Sequence, residues 1–316
     1  MKRALDAWNE VGTAEEELPR TETTWPQSRQ GRVTMAFDLA HHARPADVQE
    51  TPKHITLWIP YPGSDEHQRI SDVAIEGDFD SSGVYFDRLY KTPILHAKWT
   101  VDSADKEKKY YLNLSLHVAR SRVVAEKSLP TAGFEERPWN EVDLDLFLRS
   151  TSLAPIEGNV VKTANLVAGD SKSVVEKAHK IYNWVVENTY RDAGIVGCGD
   201  GDVCAMLSKK LGEIGGKCTD IGSLFIAICR AAKVPCREVF GIRLGKTFGE
   251  SVISGWQHCW CEFFVPGHGW VPVDPSDVRL KMLTENLPLK GSKKYNLVVF
   301  QPRVCYLCPV ILTPVW

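Results

Sequence analysis

The sequence predicts an α+β protein, a small β-sandwich-like domain followed by a core in which helices precede strands. Three observations predict this. Short β-branched and aromatic runs, broken by turn residues, fill residues 32–128. Two stretches after residue 161 carry apolar residues at helical spacing. Three strand-like runs then follow the helices with no β-α-β alternation, the pattern of an antiparallel sheet with helices on one side.

Composition sets the bounds. The chain has 316 residues, 43% hydrophobic and 25% charged, which excludes collagen-like, mucin-like and mainly disordered chains. Lys plus Arg is 38 and Asp plus Glu is 40, a net charge of −2, so there is no basic excess for a nucleic acid partner. No apolar run reaches the roughly 18 residues of a membrane helix, so no membrane partner is expected. The nine Cys cannot all pair within one chain, which fits a mostly reduced protein. Met1, Lys2 and Arg3 resemble the start of a signal peptide, but Asp6, Asn9 and Glu10 follow where an apolar stretch belongs. No leader and a cytoplasmic location are expected.

Residues 1–31 are polar and aperiodic, and read as a flexible tail. In the β domain, 32–128, the strongest strands are Ile55–Pro60 and Tyr110–Val118, the latter with Leu112, Leu114, Leu116 and Val118 on one face. Weaker strands are Val33–Leu39, Val73–Ile75, Val84–Phe86 and Ile94–Val101, with a turn at Asp80-Ser81-Ser82-Gly83. Residues 129–160, with Pro130, Pro138 and Pro155, read as a connector with a helical patch at Val142–Leu148. From 161 to 316 the second domain begins. Val174, Ala178, Ile181 and Val185 define an amphipathic helix over 171–189. Leu207 and Leu211 mark a short helix, and Ile221, Leu224, Phe225 and Ile228 a second long one over 218–232, ended near Pro235. The strand runs are Glu238–Leu244, Cys259–Val265 and Trp270–Val273.

Three residues stand out by position. Cys218 follows Gly215-Gly216-Lys217 and opens the second long helix. A helix N-terminus offers free N–H groups and partial positive charge, which stabilise a thiolate and an oxyanion formed beside it. His258 starts one strand and Asp274 ends the next. Antiparallel neighbours bring such ends together, and a nucleophilic Cys needs an imidazole that is itself oriented by a carboxylate. Taken singly, each position is better explained by a buried thiol, a core histidine and a turn aspartate.

Together the motifs resemble the transglutaminase-like superfamily. They are Gly216-Lys217-Cys218-Thr219-Asp220 with Arg230-Ala231 and Pro235 downstream, His258 before an aromatic-rich strand, and Gly267-His268-Gly269-Trp270 leading to Asp274-Pro275. The helix ending Asn188-Thr189-Tyr190 fits the same pattern, and Leu57–Pro62 resembles a segment of bacterial members. The resemblance covers about 165–280. It implies a papain-like transglutaminase core with Cys218 as nucleophile, His258 as base and Asp274 as orienter. It also implies amide-bond chemistry through a thioester on a peptide or protein amide substrate, as peptidase, deamidase or acyl transferase. Tyr190 and Gln257 are oxyanion candidates, and Gly216, Lys217, Trp256 and Trp270 are cleft candidates. No cofactor and no metal are expected. The alternative is a binding or scaffold protein that keeps this fold without turnover.

Other motifs carry less. Gly241–Thr247 has too few residues between its glycines for a phosphate loop. Gly197–Asp202 is acidic enough to suggest calcium but lacks the ligand spacing of a calcium loop, and reads as a solvated cleft loop. Cys305-x-x-Cys308 is half a zinc site with no second half. Cys259 and Cys261 share a strand face, but spacing supplies no further ligand for them.

Overall fold

The computed structural model describes residues 28–40, 53–65, 67–102, 108–121, 144–243, 250, 252, 257–284, 286 and 304–309. Residues 1–27 of the expected tail, residues 129–143 of the connector and Trp256 lie outside the described residues. The last four residues of the expected tail, Ser28–Gly31, instead begin the first strand, because they pair with a neighbouring strand.

The N-terminal strands are β1 (Ser28–Asp38), β2 (His54–Pro60), β3 (Gln68–Gly77), β4 (Ser81–Phe86), β5 (Pro93–Thr100) and β6 (Tyr111–Ser121). They form two antiparallel sheets, ordered β1-β6-β3 and β2-β5-β4. Alternation decides what lies between them. Leu112, Leu114, Leu116 and Val118 of β6 are buried against Leu95, Ala97 and Trp99 of β5, in one apolar cluster. The Trp99 indole N–H is satisfied at the edge of this cluster by Asp78 Oδ1 at 3.0 Å. The expected turn at Asp80–Gly83 lies earlier, and Ser81–Gly83 already pair with β5. Asp78 is the reason, because it also accepts from the Tyr111 N–H at 2.8 Å and turns the chain before β4 begins.

The second region contains α1 (Gly158–Ala168), α2 (Val174–Asn188), β7 (Thr189–Arg191), α3 (Val203–Leu207), β8 (Ile214–Gly216), α4 (Cys218–Ala231), β9 (Cys236–Arg243), β10 (Gln257–Val265), β11 (Gly269–Val273), α5 (Pro275–Thr284) and β12 (Val304–Pro309). Its main sheet is antiparallel in the order β11-β10-β9-β12, while β7 and β8 form a short parallel pair. The sheet packs against α4, which α1 and α2 cover from the other side. Hence α4 is buried from Cys218 to Arg230, well beyond its apolar stripe. Burying Arg230 requires partners for its guanidinium. It donates to the Cys236 carbonyl at 3.0 and 2.9 Å and to the Arg149 carbonyl at 3.1 Å.

α2 starts where Ser173 Oγ accepts the Glu176 N–H at 3.1 Å, a side-chain N-cap. The expected 207–211 helix lies earlier, as α3, because Asp202 caps it by accepting the Ala205 N–H at 2.9 Å. Residues 144–148, the expected helical patch, form a 3₁₀ turn that buries Leu144, Leu146 and Phe147. Among the described residues no helix is long and apolar enough to cross a membrane.

Candidate active site

Cys218 is the first residue of α4, reached directly from β8 through Gly216 and Lys217. The helix start is fixed by Asp220. One of its oxygens accepts the Lys217 N–H at 2.9 Å and the other the Gly201 N–H at 2.9 Å, tying the 197–202 loop to the helix. That loop approaches so closely that only glycine fits. Gly199 has φ +95°, and a Cβ there would lie 1.9 Å from Asp220 Oδ2. Within the same loop the Cys198 carbonyl accepts the Thr219 N–H at 3.0 Å, satisfying one of the free amides of the helix start.

His258 stands near the start of β10, and Asp274 immediately follows β11. The antiparallel pairing of the two strands runs from Cys261–Val273 to Val265–Gly269, which brings Asp274 back toward His258. Asp274 Oδ2 lies 2.5 Å from His258 Nε2. Its Oδ1 accepts the Asp277 N–H at 2.8 Å, so the same carboxylate caps α5, with Pro275 in the first helical position. The Cys218 thiol and the His258 ring each favour the charged form of the other. With Nε2 engaged by Asp274, Nδ1 is the ring atom left for the sulfur.

The electrostatics follow from this packing. Burial disfavours a charged His258 ring, but Asp274 and then Asp277 outweigh it and hold the ring up at about 10. Cys218 is pushed far below an ordinary thiol, first by hydrogen bonds from the Cys198 and Cys259 thiols and then by the His258 cation, against the cost of burial. Together these favour a thiolate–imidazolium pair.

Two contributors were missed from sequence. Asp277 Oδ1 lies 3.6 Å from His258 Nε2 and pairs with Arg243 at the end of β9. Its only signal was the Asp274-x-x-Asp277 spacing of a helix start. The second is a group of three thiols. Cys198, Cys218 and Cys259 bring their sulfurs within 4.8 Å of one another, so Cys259 has the partners that spacing did not supply. Cys261 instead packs on Gly222, its thiol 3.4 Å from the Gly222 carbonyl. His258, Asp274 and Asp277 also converge within 4.8 Å, but Arg243 and the Asp277 N–H already occupy their carboxylates.

The remaining candidates are placed as follows. The Tyr190 ring lies against Gly215 of β8, where a Cβ would meet it at 2.5 Å. Gln257 is exposed beside His258. Gly216 and Lys217 directly precede Cys218. Trp270 is not at the cleft: it pairs with Phe264, roughly 20 Å along β10 from His258 at about 3.3 Å per residue. There it stacks under Arg237 at 4.1 Å and against Phe147 at 4.7 Å, filling a separate apolar cluster.

Residues 162–275 match the sequence profile of the transglutaminase-like superfamily core. The chain carries a transglutaminase-like core. It is 34% identical over 247 residues to an uncharacterised protein of Haemophilus influenzae, covering 72% of this chain and 65% of that protein, just under two thirds of its length. A crystal structure from Cytophaga hutchinsonii, described as a candidate cysteine protease, superposes with a TM-score of 0.53 at 16% identity, covering 79% of this chain and 78% of that one. That likeness establishes the fold. In this transglutaminase-like core Cys218, the His258 ring and the Asp274 carboxylate come from a helix start, a strand start and a strand end.

Proposed function

We propose that the protein is a thiol-dependent amide-bond enzyme acting through a thioester on Cys218. The observation that supports this best is the His258 ring, held at Nε2 by Asp274 whose second oxygen is fixed by α5, together with the mutual favouring of charge between that ring and the Cys218 thiol. In the first step the thiolate attacks an amide carbonyl carbon. The carbonyl oxygen takes the charge beside the start of α4, where backbone N–H groups favour an anion. The tetrahedral adduct collapses, the C–N bond breaks, and His258 gives its proton to the departing amine. In the second step His258 takes a proton from water or from an acceptor amine. The nucleophile attacks the thioester, and the carboxylic acid or new amide leaves as the thiolate is restored. Asp274 keeps Nε2 engaged throughout, so Nδ1 serves the sulfur.

The test is to incubate the full reduced chain with peptide libraries carrying Gln side chains and backbone amides, reading ammonia, new N-termini and amine incorporation separately. The reading expects one of these products from the wild type and none from Cys218→Ala. Product formed equally by Cys218→Ala would overturn it. A protein that binds peptides without turnover would favour the scaffold alternative.

A further inference from the structure

We propose that Cys198, Cys218 and Cys259 form a three-thiolate site for a soft cation, zinc(II), and that occupying it withdraws Cys218 from thioester chemistry. The three sulfurs come from separate elements: the 197–202 loop, the first residue of α4, and β10. Nothing in chain connectivity brings them together, yet all lie within 4.8 Å of one another. Zinc–sulfur bonds of about 2.3 Å place tetrahedral sulfurs about 3.8 Å apart. The existing arrangement therefore closes on a metal with small side-chain movements. Among the described residues no other group of three thiols converges in this way, and all three are free rather than disulfide-bonded.

The surroundings hold this geometry. The Cys198 carbonyl is fixed by the Thr219 N–H at 3.0 Å, and the Cys259 sulfur lies 3.3 Å from Thr219 Oγ1. Such hydrogen bonds around the ligands orient them before metal arrives. Cys218 and Cys259 are buried and Cys198 is half-buried, so the site has one wet side for entry and for a fourth ligand, water. Three soft sulfurs select zinc or copper(I) over magnesium or calcium. As each S–Zn bond forms, any proton still on that sulfur leaves to solvent. The Cys218 lone pair that would attack a carbonyl is then shared with the metal, so metal and thioester exclude each other. Only this last consequence rests on the thioester reading; the binding does not.

The experiment uses the full chain, reduced and under nitrogen, with zinc chloride as the probe. Bound zinc per chain is measured by equilibrium dialysis, and alkylation by iodoacetamide is mapped residue by residue with and without metal. The expected result is one zinc per chain, with Cys198, Cys218 and Cys259 protected together and released together by chelator. Cys198→Ser and Cys259→Ser should each weaken binding at least tenfold, whereas Cys204→Ser, an exposed thiol outside the cluster, should not. Zinc that protects other cysteines, or no stoichiometric binding, overturns the proposal, and the protection map needs no variant to fold. If amide turnover requires Cys218 but one equivalent of zinc leaves it untouched, the site fails while the enzyme reading stands. If zinc protects the three thiols and no turnover is found, the reverse holds.

Discussion

The two halves of the molecule bury different things. The sandwich core is built by strict alternation around Leu95, Ala97, Trp99, Leu112 and Leu114, and among its described residues Arg120 of β6 is the one buried charge. The helix–sheet region buries Asp220, Arg230, Glu238, His258, Glu262, Asp274 and Arg279 as well as its apolar cluster. Charges cost free energy to bury unless they are paired, so a region that keeps so many of them is shaped by more than stability. Several converge on α4 and the strand ends around it. The sandwich, with Arg120 as its single buried charge among the described residues, is what the same chain builds when packing decides nearly everything.

Substitutions that break this contrast should fall in order. Cys218→Ala should remove turnover by ~10⁴-fold or more while leaving the melting temperature nearly unchanged, since it removes one atom and no packing layer. Asp274→Asn keeps an oxygen to cap α5 but no longer charges the His258 partner. It should cost about 10³- to 10⁴-fold in kcat with helix content intact by circular dichroism. In the sandwich, Trp99→Ala should lower stability by about 3–5 kcal/mol in urea unfolding, the cost of a large cavity. Arg230→Met should cost about 2–3 kcal/mol, because it leaves the Cys236 and Arg149 carbonyls without their donor in a dry core. Asp170→Asn, which removes an exposed partner of Lys180, should leave the melting temperature unmoved at physiological salt. A large effect there would mean that surface charge, rather than the buried set, distinguishes the two regions.

What could be read from the sequence follows the same division. Period-two alternation placed β6 and its buried face correctly, because a residue in a sandwich strand is simply in or out. The convergence of Cys218, His258 and Asp274 was legible because each sits at an element end, where strand pairing dictates position. α1 was missed because it straddles the boundary read at 160 between connector and second domain: it follows Pro155 and opens with Gly158 at φ +55°. α5 was hidden because its sequence, Pro-Ser-Asp-Val-Arg-Leu-Lys-Met, has almost no apolar stripe, leaving only its Asp-Pro start as a signal. The three-thiol group was illegible for a different reason. It depends on how closely one loop is drawn onto a helix, and that is set by Asp220 and two glycines rather than by any spacing between cysteines.

The divided loyalty of Asp274 gives the site a remote gauge. Because one oxygen holds the ring and the other holds the Asp277 amide, a fraying of the first turn of α5 also releases the histidine. Slow deuterium uptake at that amide would count how often the ring is in register, in a molecule at rest and without any substrate. A ligand that tightens the ring should slow the uptake, and one that pries it loose should quicken it.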